Sequence, residues 1–184
     1  MKDTERELKI LLTKEQYEKL RDLLPEAVCR EQTNTYYDTA DGLLKFHGFA
    51  LRIRDVNGKH IMTVKKPMDS ITKYEFEQVV SAGRFDDLPA SEQQWGFEML
   101  GLGQIELKPF ISLTTLRCMK KTDQAEICLD RTTFAHHTDY ELEYEYTKDH
   151  DGISVFNELL SKVGLHYEKN CPSKLARAVI DSVE

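Results

Sequence analysis

The chain has 184 residues, with 25 Lys and Arg against 32 Asp and Glu, for a formal net charge of −7. That length suits a single domain spanning residues 1–184, and the acidic balance argues against general nucleic-acid binding, which needs an excess of Lys and Arg. A 40% apolar content can build a core despite 31% charged residues, and no apolar run nears the roughly 20 residues of a membrane helix. No membrane partner is therefore expected. The N-terminal MKDTERELK has no apolar stretch of the kind a secretion signal carries, which predicts a cytoplasmic protein.

In chain order, residues 5–12 alternate as a strand. The segment TKEQYEKLRDLLP then reads as a helix with a Thr13/Gln16 capping box, a Leu12/Tyr17 staple, an apolar stripe of Tyr17, Leu20, Leu23 and Leu24, and a stop at Pro25. Strand-like runs follow at 32–37, 50–55, 61–66 and 74–80, with Asp41-Gly42 and Asn57-Gly58 as turn signals. Residues 84–101 are helical in part, with Ser91 and Gln94 suggesting a cap. Strands resume at 105–108, 113–120, 125–130 and 140–146. A helix opens at Asp151 and ends by Gly164, and a last one starts near Ser173. The order predicts an α+β protein with a large, mainly antiparallel sheet. Cys29, Cys118, Cys128 and Cys171 form no C-x-x-C pair. They are expected to be reduced core residues, with no structural zinc.

The charges follow strand parity. Residues two apart share a face, so Glu5, Glu7 and Lys9 lie opposite Leu8, Ile10 and Leu12, and Arg52 and Arg54 lie opposite Leu51 and Ile53. By the same rule Lys65, Glu75, Glu77, Arg117, Glu126, Asp130 and the run Glu141, Glu143, Glu145 each oppose an apolar face. Any one such strand could simply show water its polar side. Across the set, however, the polar faces are almost purely ionisable and stack like charges at i and i+2, which is unfavourable unless opposite charges sit among them. A closed barrel with these residues inside and the apolar faces outward under helices accommodates both facts. Buried charges need partners. Bases to grip anionic oxygens and carboxylates to hold a divalent cation together specify a metal-bound polyphosphate.

These residues resemble the CYTH superfamily, the triphosphate tunnel metalloenzymes, and most closely its small single-domain bacterial members. The likeness rests on Glu5-x-Glu7-x-Lys9 opening the first strand, then Tyr36-Tyr37-Asp38-Thr39, Leu51-Arg52-Ile53-Arg54, Thr63-Val64-Lys65, Glu75/Glu77, Arg117, Asp130, Glu141/Glu143/Glu145 and Ser173-Lys174, in the family's order over nearly the whole chain. It implies an eight-stranded antiparallel β-barrel, a tunnel with a charged interior and helices packed outside. It implies a hydrolase of inorganic or organic triphosphates that uses Mg²⁺ or Mn²⁺. Glu5, Glu7 and two of Glu141, Glu143 and Glu145 would hold metal, the spacing from Asp130 favouring Glu141 and Glu143. Asp130 joins this set, and Glu75 or Glu77 would serve a second metal or charge balance. Lys9, Arg52, Arg54, Lys65, Arg117 and Lys174 would bind phosphate oxygens and, with Glu5 and Glu7, carry the catalysis. Lys66, following Lys65 where many members have glycine, is a departure, and Lys121 shares the parity of Arg117.

A class IV-type adenylate cyclase is an alternative and would need a nucleoside pocket, for which Tyr36, Tyr37, Phe46, Phe49 and Tyr74 are the aromatic candidates, all equally suited to a core. A non-catalytic polyphosphate- or nucleotide-binding module is another. A lipocalin-like barrel would need an apolar interior, which the parity disfavours. Monomer and homodimer are both compatible with the sequence.

Overall fold

Strand β1 (Thr4–Leu12) runs straight into helix α1 (Lys14–Leu23), and Thr13 makes the switch. Its side chain accepts from the Gln16 backbone while Gln16 answers the Thr13 backbone, the reciprocal capping box read from the sequence. A computed structural model describes residues 4–182. Within it follow β2 (Val28–Asp38), the short α2 (Leu43–His47), β3 (Ala50–Val56), β4 (Lys59–Pro67) and β5 (Thr72–Val80). A 3-10 turn at Phe85–Asp87 leads into α3 (Ala90–Leu100). The rest comprises β6 (Lys108–Lys121), β7 (Ala125–Thr133), β8 (Thr138–Tyr146), α4 (Gly152–Ser161) and α5 (Lys174–Asp181). The eight strands close into one antiparallel barrel in the order β1-β5-β4-β3-β2-β6-β7-β8.

The described residues cluster into two compact units, one of residues 4–5 with Gln32–Leu113, the other of Arg6–Glu31 with residues 114–182. In the first, β2 to β5 form a meander of adjacent strands. The β3–β4 hairpin turns on Asn57-Gly58, both at positive φ as a two-residue hairpin demands. Its apolar face carries Leu51, Ile53, Met62, Val64 and Val80, packed with Leu44 of α2, Phe85, Leu88 and Leu100 of α3. The second unit pairs β1, β8, β7 and β6. There the buried Leu8, Leu129, Leu142 and Tyr144 face α1 and α4, with Tyr17 against Tyr140 and Phe156 against Tyr144. In each unit the helices cover the apolar face, and the charged parity lies on the other.

Several expectations need correction. Residues 105–107 are not a strand, since β6 begins at Lys108. Their apolar pattern comes instead from Ile105 and Leu107 packing an irregular segment onto the core of the first unit. Ser91 lies inside α3, whose N-cap is Pro89. Helix α2 was not foreseen. It starts because the Asp38 carboxylate accepts from the backbone N–H groups of Leu44 and Lys45, a cap supplied from six and seven residues away. Finally, Cys29 and Cys118 form a disulfide, joining positions 89 residues apart on β2 and β6, which are neighbours in the strand order. Cys128 and Cys171 are free thiols.

Candidate functional site

The charged parity of each unit gathers into a network. In the first, cross-strand register sets Arg52 beside Tyr36 and Thr63, Thr63 beside Glu77, and Lys65 beside Glu75. The Lys65 ammonium bridges Glu5 and Glu75, 2.7 Å from the latter. Thr63 donates to Glu77 at 3.1 Å, and Arg54 donates from Nε to Asn34 at 3.1 Å. Burial opposes ionisation of Glu75, but Lys65, Glu5 and Arg52 outweigh it and hold its carboxyl below the usual range. Arg52 differs from these. It makes no direct ion pair among the described residues, and its Nε is buried without a hydrogen-bond partner. Burial disfavours its charge, yet the fields of Tyr36, Glu75, Glu5 and Glu77 keep it protonated.

The second network is deeper. Glu7, Lys9, Asp130 and Glu141 are at most 7% exposed. Lys9 pairs with Glu7 at 2.7 Å. Arg117 meets Asp130 with both Nε, at 2.8 Å, and Nη2, at 2.6 Å, and also contacts Glu143. Lys174, the first residue of α5, reaches in to Asp130 at 2.8 Å and Glu143 at 2.6 Å and touches Glu141. The Ser173 side chain caps that helix by accepting from Ala176 N, which fixes where Lys174 emerges. Burial opposes the charges on Lys174 and Arg117, but the surrounding carboxylates raise both well above their ordinary values. Glu143 is pulled well below the carboxylate range: burial pushes it up, and Arg117 and Lys174 prevail. Glu141 goes the other way, to about 7, because burial and its neighbour Glu143 outweigh Lys174 and Arg177.

Asp130, Glu141 and Glu143 each offer a carboxylate oxygen, all within 4.8 Å of one another. Hard oxygen donors at that spacing suit Mg²⁺ or Mn²⁺. A positive centre already sits among them in the form of the Lys174 ammonium, so the donor set fits a cation. Glu145 lies one step further along β8, in register with Glu7 and Glu126, outside that trio. Lys121 pairs with Glu126 at 2.6 Å and is largely exposed, while Lys66 lies on the opposite parity from Lys65, with its ammonium on the Met99 carbonyl. Of the aromatic candidates, Tyr36 and Tyr37 are buried and Phe49 packs on the core, whereas Phe46 is 84% exposed.

Sequence reasoning missed three contributors. Arg177 pairs with Asp139 and Glu141, each at 2.7 Å. The Asn170 side chain accepts from Lys9 N at 2.8 Å and donates to the Glu7 carbonyl at 3.0 Å, tying down the backbone that presents both residues. The Lys174/Arg177 spacing of one helical turn, and Asp139 continuing the parity of Glu141 and Glu143, were signals in plain view. Asn170, in an irregular segment, gave none.

A family model described as the CYTH domain matches residues 3–178. The chain is 31% identical over 168 residues to Bacillus subtilis (strain 168) YjbK, named a candidate triphosphatase, covering 89% of this chain and 88% of that one. Among solved structures it resembles a Bacillus halodurans protein described as a candidate adenylate cyclase. There the TM-score is 0.80 at 26% identity, over 95% of this chain and 98% of the other. A Hippeastrum protein, described as a candidate adenylyl cyclase with a dominant triphosphatase activity, matches with TM-score 0.70 at 22% identity, over 96% and 95% of the two chains.

Proposed function

The chain belongs to the CYTH domain family, and from that premise we propose that it is a divalent-metal-dependent hydrolase of triphosphate compounds, cleaving a phosphoanhydride bond. The observation that carries this reading is Arg52, a guanidinium set among charged residues with a buried Nε that nothing satisfies. An unpartnered donor there is costly unless an anion completes it. The name given to YjbK supports the same class of substrate, as does the activity described for the Hippeastrum protein.

In this reading the whole chain works as one domain. Lys65, Lys9, Arg117 and Lys174 exchange carboxylate partners for phosphate oxygens, which Arg52 and Arg54 also bind. Their fixed charges then stabilise the negative charge that moves toward the leaving phosphate. Asp130, Glu141 and Glu143, with Glu5 and Glu7, hold Mg²⁺ or Mn²⁺, while Glu75 and Glu77 balance the bases around Arg52 and Glu145 is peripheral. The cation, when bound, neutralises phosphate oxygens and polarises the attacking water. Confinement of the triphosphate supplies alignment, so little covalent chemistry is asked of the protein.

The test is phosphate release from inorganic triphosphate and from ATP, with and without Mg²⁺ or Mn²⁺. Metal-dependent release that disappears in Glu7→Ala is expected. A cyclic nucleotide product from ATP would instead establish a cyclase, for which Phe46 and Tyr74 are the exposed ones among the aromatic candidates. Tight triphosphate binding without turnover would leave a binding module.

A further inference from the structure

We propose that Arg177 is a positioning residue that fixes which oxygen of Glu141 faces the cation. The inference rests on the reading of Asp130, Glu141 and Glu143 as the metal-holding trio. Arg177 sits one turn after Lys174 on α5, is 9% exposed, and places its guanidinium between Asp139 and Glu141, two residues apart on the same face of β8. Nε donates to Asp139 Oδ2 at 2.7 Å, and Nη1 lies 2.7 Å from Glu141 Oε2 and also donates to the Pro172 carbonyl.

The two oxygens of Glu141 are thereby divided. Oε2 belongs to Arg177, with the Cys171 thiol donating to the same atom at 3.5 Å. Oε1 faces Lys174, the ammonium that also reaches Asp130 and Glu143, and so points to the centre of the trio. Without Arg177 the carboxylate is free to turn both oxygens onto Lys174 or away from the trio. A planar fork is required, because one group must reach two carboxylates and a carbonyl at fixed angles, which an ammonium cannot reproduce. The arrangement is kept although Arg177 Nη2 and Asp139 Oδ1 are buried without partners. A purely stabilising ion pair gives no reason for two such orphans.

The experiment measures Mn²⁺ affinity of the purified protein by titration calorimetry and by the Mn²⁺ paramagnetic resonance signal, in wild type, Glu141→Gln, Arg177→Met, Arg177→Lys and Asp139→Asn. Partners of a metal ligand typically contribute about 10–100-fold in affinity. Arg177→Met should therefore weaken Mn²⁺ at least about tenfold, and Arg177→Lys should fail to restore it. Asp139→Asn, which loosens the guanidinium while leaving its contact with Glu141, should fall in between, and it carries the test if Arg177→Met does not fold. In steady-state turnover of inorganic triphosphate the same variants should raise the Mn²⁺ concentration needed for half-maximal rate more than they lower kcat at saturating Mn²⁺. Full rescue by Arg177→Lys would mean that charge alone matters and would overturn the proposal. So would wild-type affinity in both Arg177→Met and Asp139→Asn. If Glu141→Gln binds Mn²⁺ like wild type, the metal assignment itself falls and this inference with it.

Discussion

Arg52 and Glu141 both sit in surroundings that depart from what their charge needs, and they depart in opposite senses. Arg52 is a cation with an unsatisfied donor. Removing one charged contact to a transition state costs about 10²–10³ in rate, so Arg52→Ala should lower kcat/KM for triphosphate by about that factor while its thermal unfolding stays near wild type. Near-normal turnover would remove Arg52 from the site. Glu141 is an acid held up to about 7 by burial beside Glu143. Its own network explains why. Glu7, Asp130, Asp139, Glu141 and Glu143 outnumber Lys9, Arg117, Lys174 and Arg177 by one, so the network keeps a proton near neutrality. Metal binding must displace that proton. Calorimetry in buffers of different ionisation enthalpy should show close to one proton released per Mn²⁺ below pH 7, fading to none well above it. The sign for stability follows. The pKa of Glu141 is raised above its unfolded value, so the metal-free native state takes up its proton first and gains stability from this group as pH falls from about 7 toward 4.5. Glu143, held well below its ordinary value, stabilises above 4.5 and loses that contribution as the pH falls further.

At the scale of elements, two of the capped helices, α1 and α5, make a contrast. Thr13 caps α1 and Ser173 caps α5 by the same device. Each cap is worth about 1 kcal/mol, so Thr13→Ala and Ser173→Ala should lower unfolding free energy by similar amounts in denaturant titrations. Only Ser173→Ala should also reduce turnover, because α5 delivers Lys174 and Arg177 to the carboxylates whereas α1 covers an apolar face. Equal kinetic effects would deny α5 that role. The Thr13 cap and the start of α5 near Ser173 were legible in the sequence, as were all eight strands, because capping and alternation are local properties. Parity gave the face of the candidate charges that lie on strands, and the spacing of Asp130 from β8 favoured Glu141 and Glu143, the pair that meets it in space. What stayed hidden depends on contacts between distant segments. Asp38 starting α2, Cys29 meeting Cys118, and Asn170 clasping the backbone of β1 leave no periodic trace. The segment at 105–107 misled for the same reason, since burial of Ile105 and Leu107 imitates alternation without pairing.

At the scale of the whole molecule the sign of the charge is the puzzle, since a chain of net charge −7 is proposed to bind a polyanion. Long-range fields of this sign slow the approach of an anionic ligand, and salt screens them beyond a Debye length of about 10 Å at 0.1 M. The local bases cannot reverse the balance, because most are already paired with carboxylates. In the proposed function a divalent cation would change it, because the carboxylates that hold Lys174 and Arg117 are the ones that would take the metal. Metal and triphosphate should therefore bind with positive coupling, each raising the affinity for the other by the same factor. The check is a thermal-shift matrix of inorganic triphosphate against Mn²⁺. Triphosphate alone, in chelator, should raise Tm little; Mn²⁺ alone should raise it modestly; and together the shift should exceed their sum. In kinetics, kcat/KM should rise as salt is raised from very low ionic strength, the reverse of an electrostatically steered enzyme, before falling as direct phosphate contacts are screened. A full triphosphate shift without metal would mean that the bases are available from the start, and the carboxylates would then have no part in opening the site.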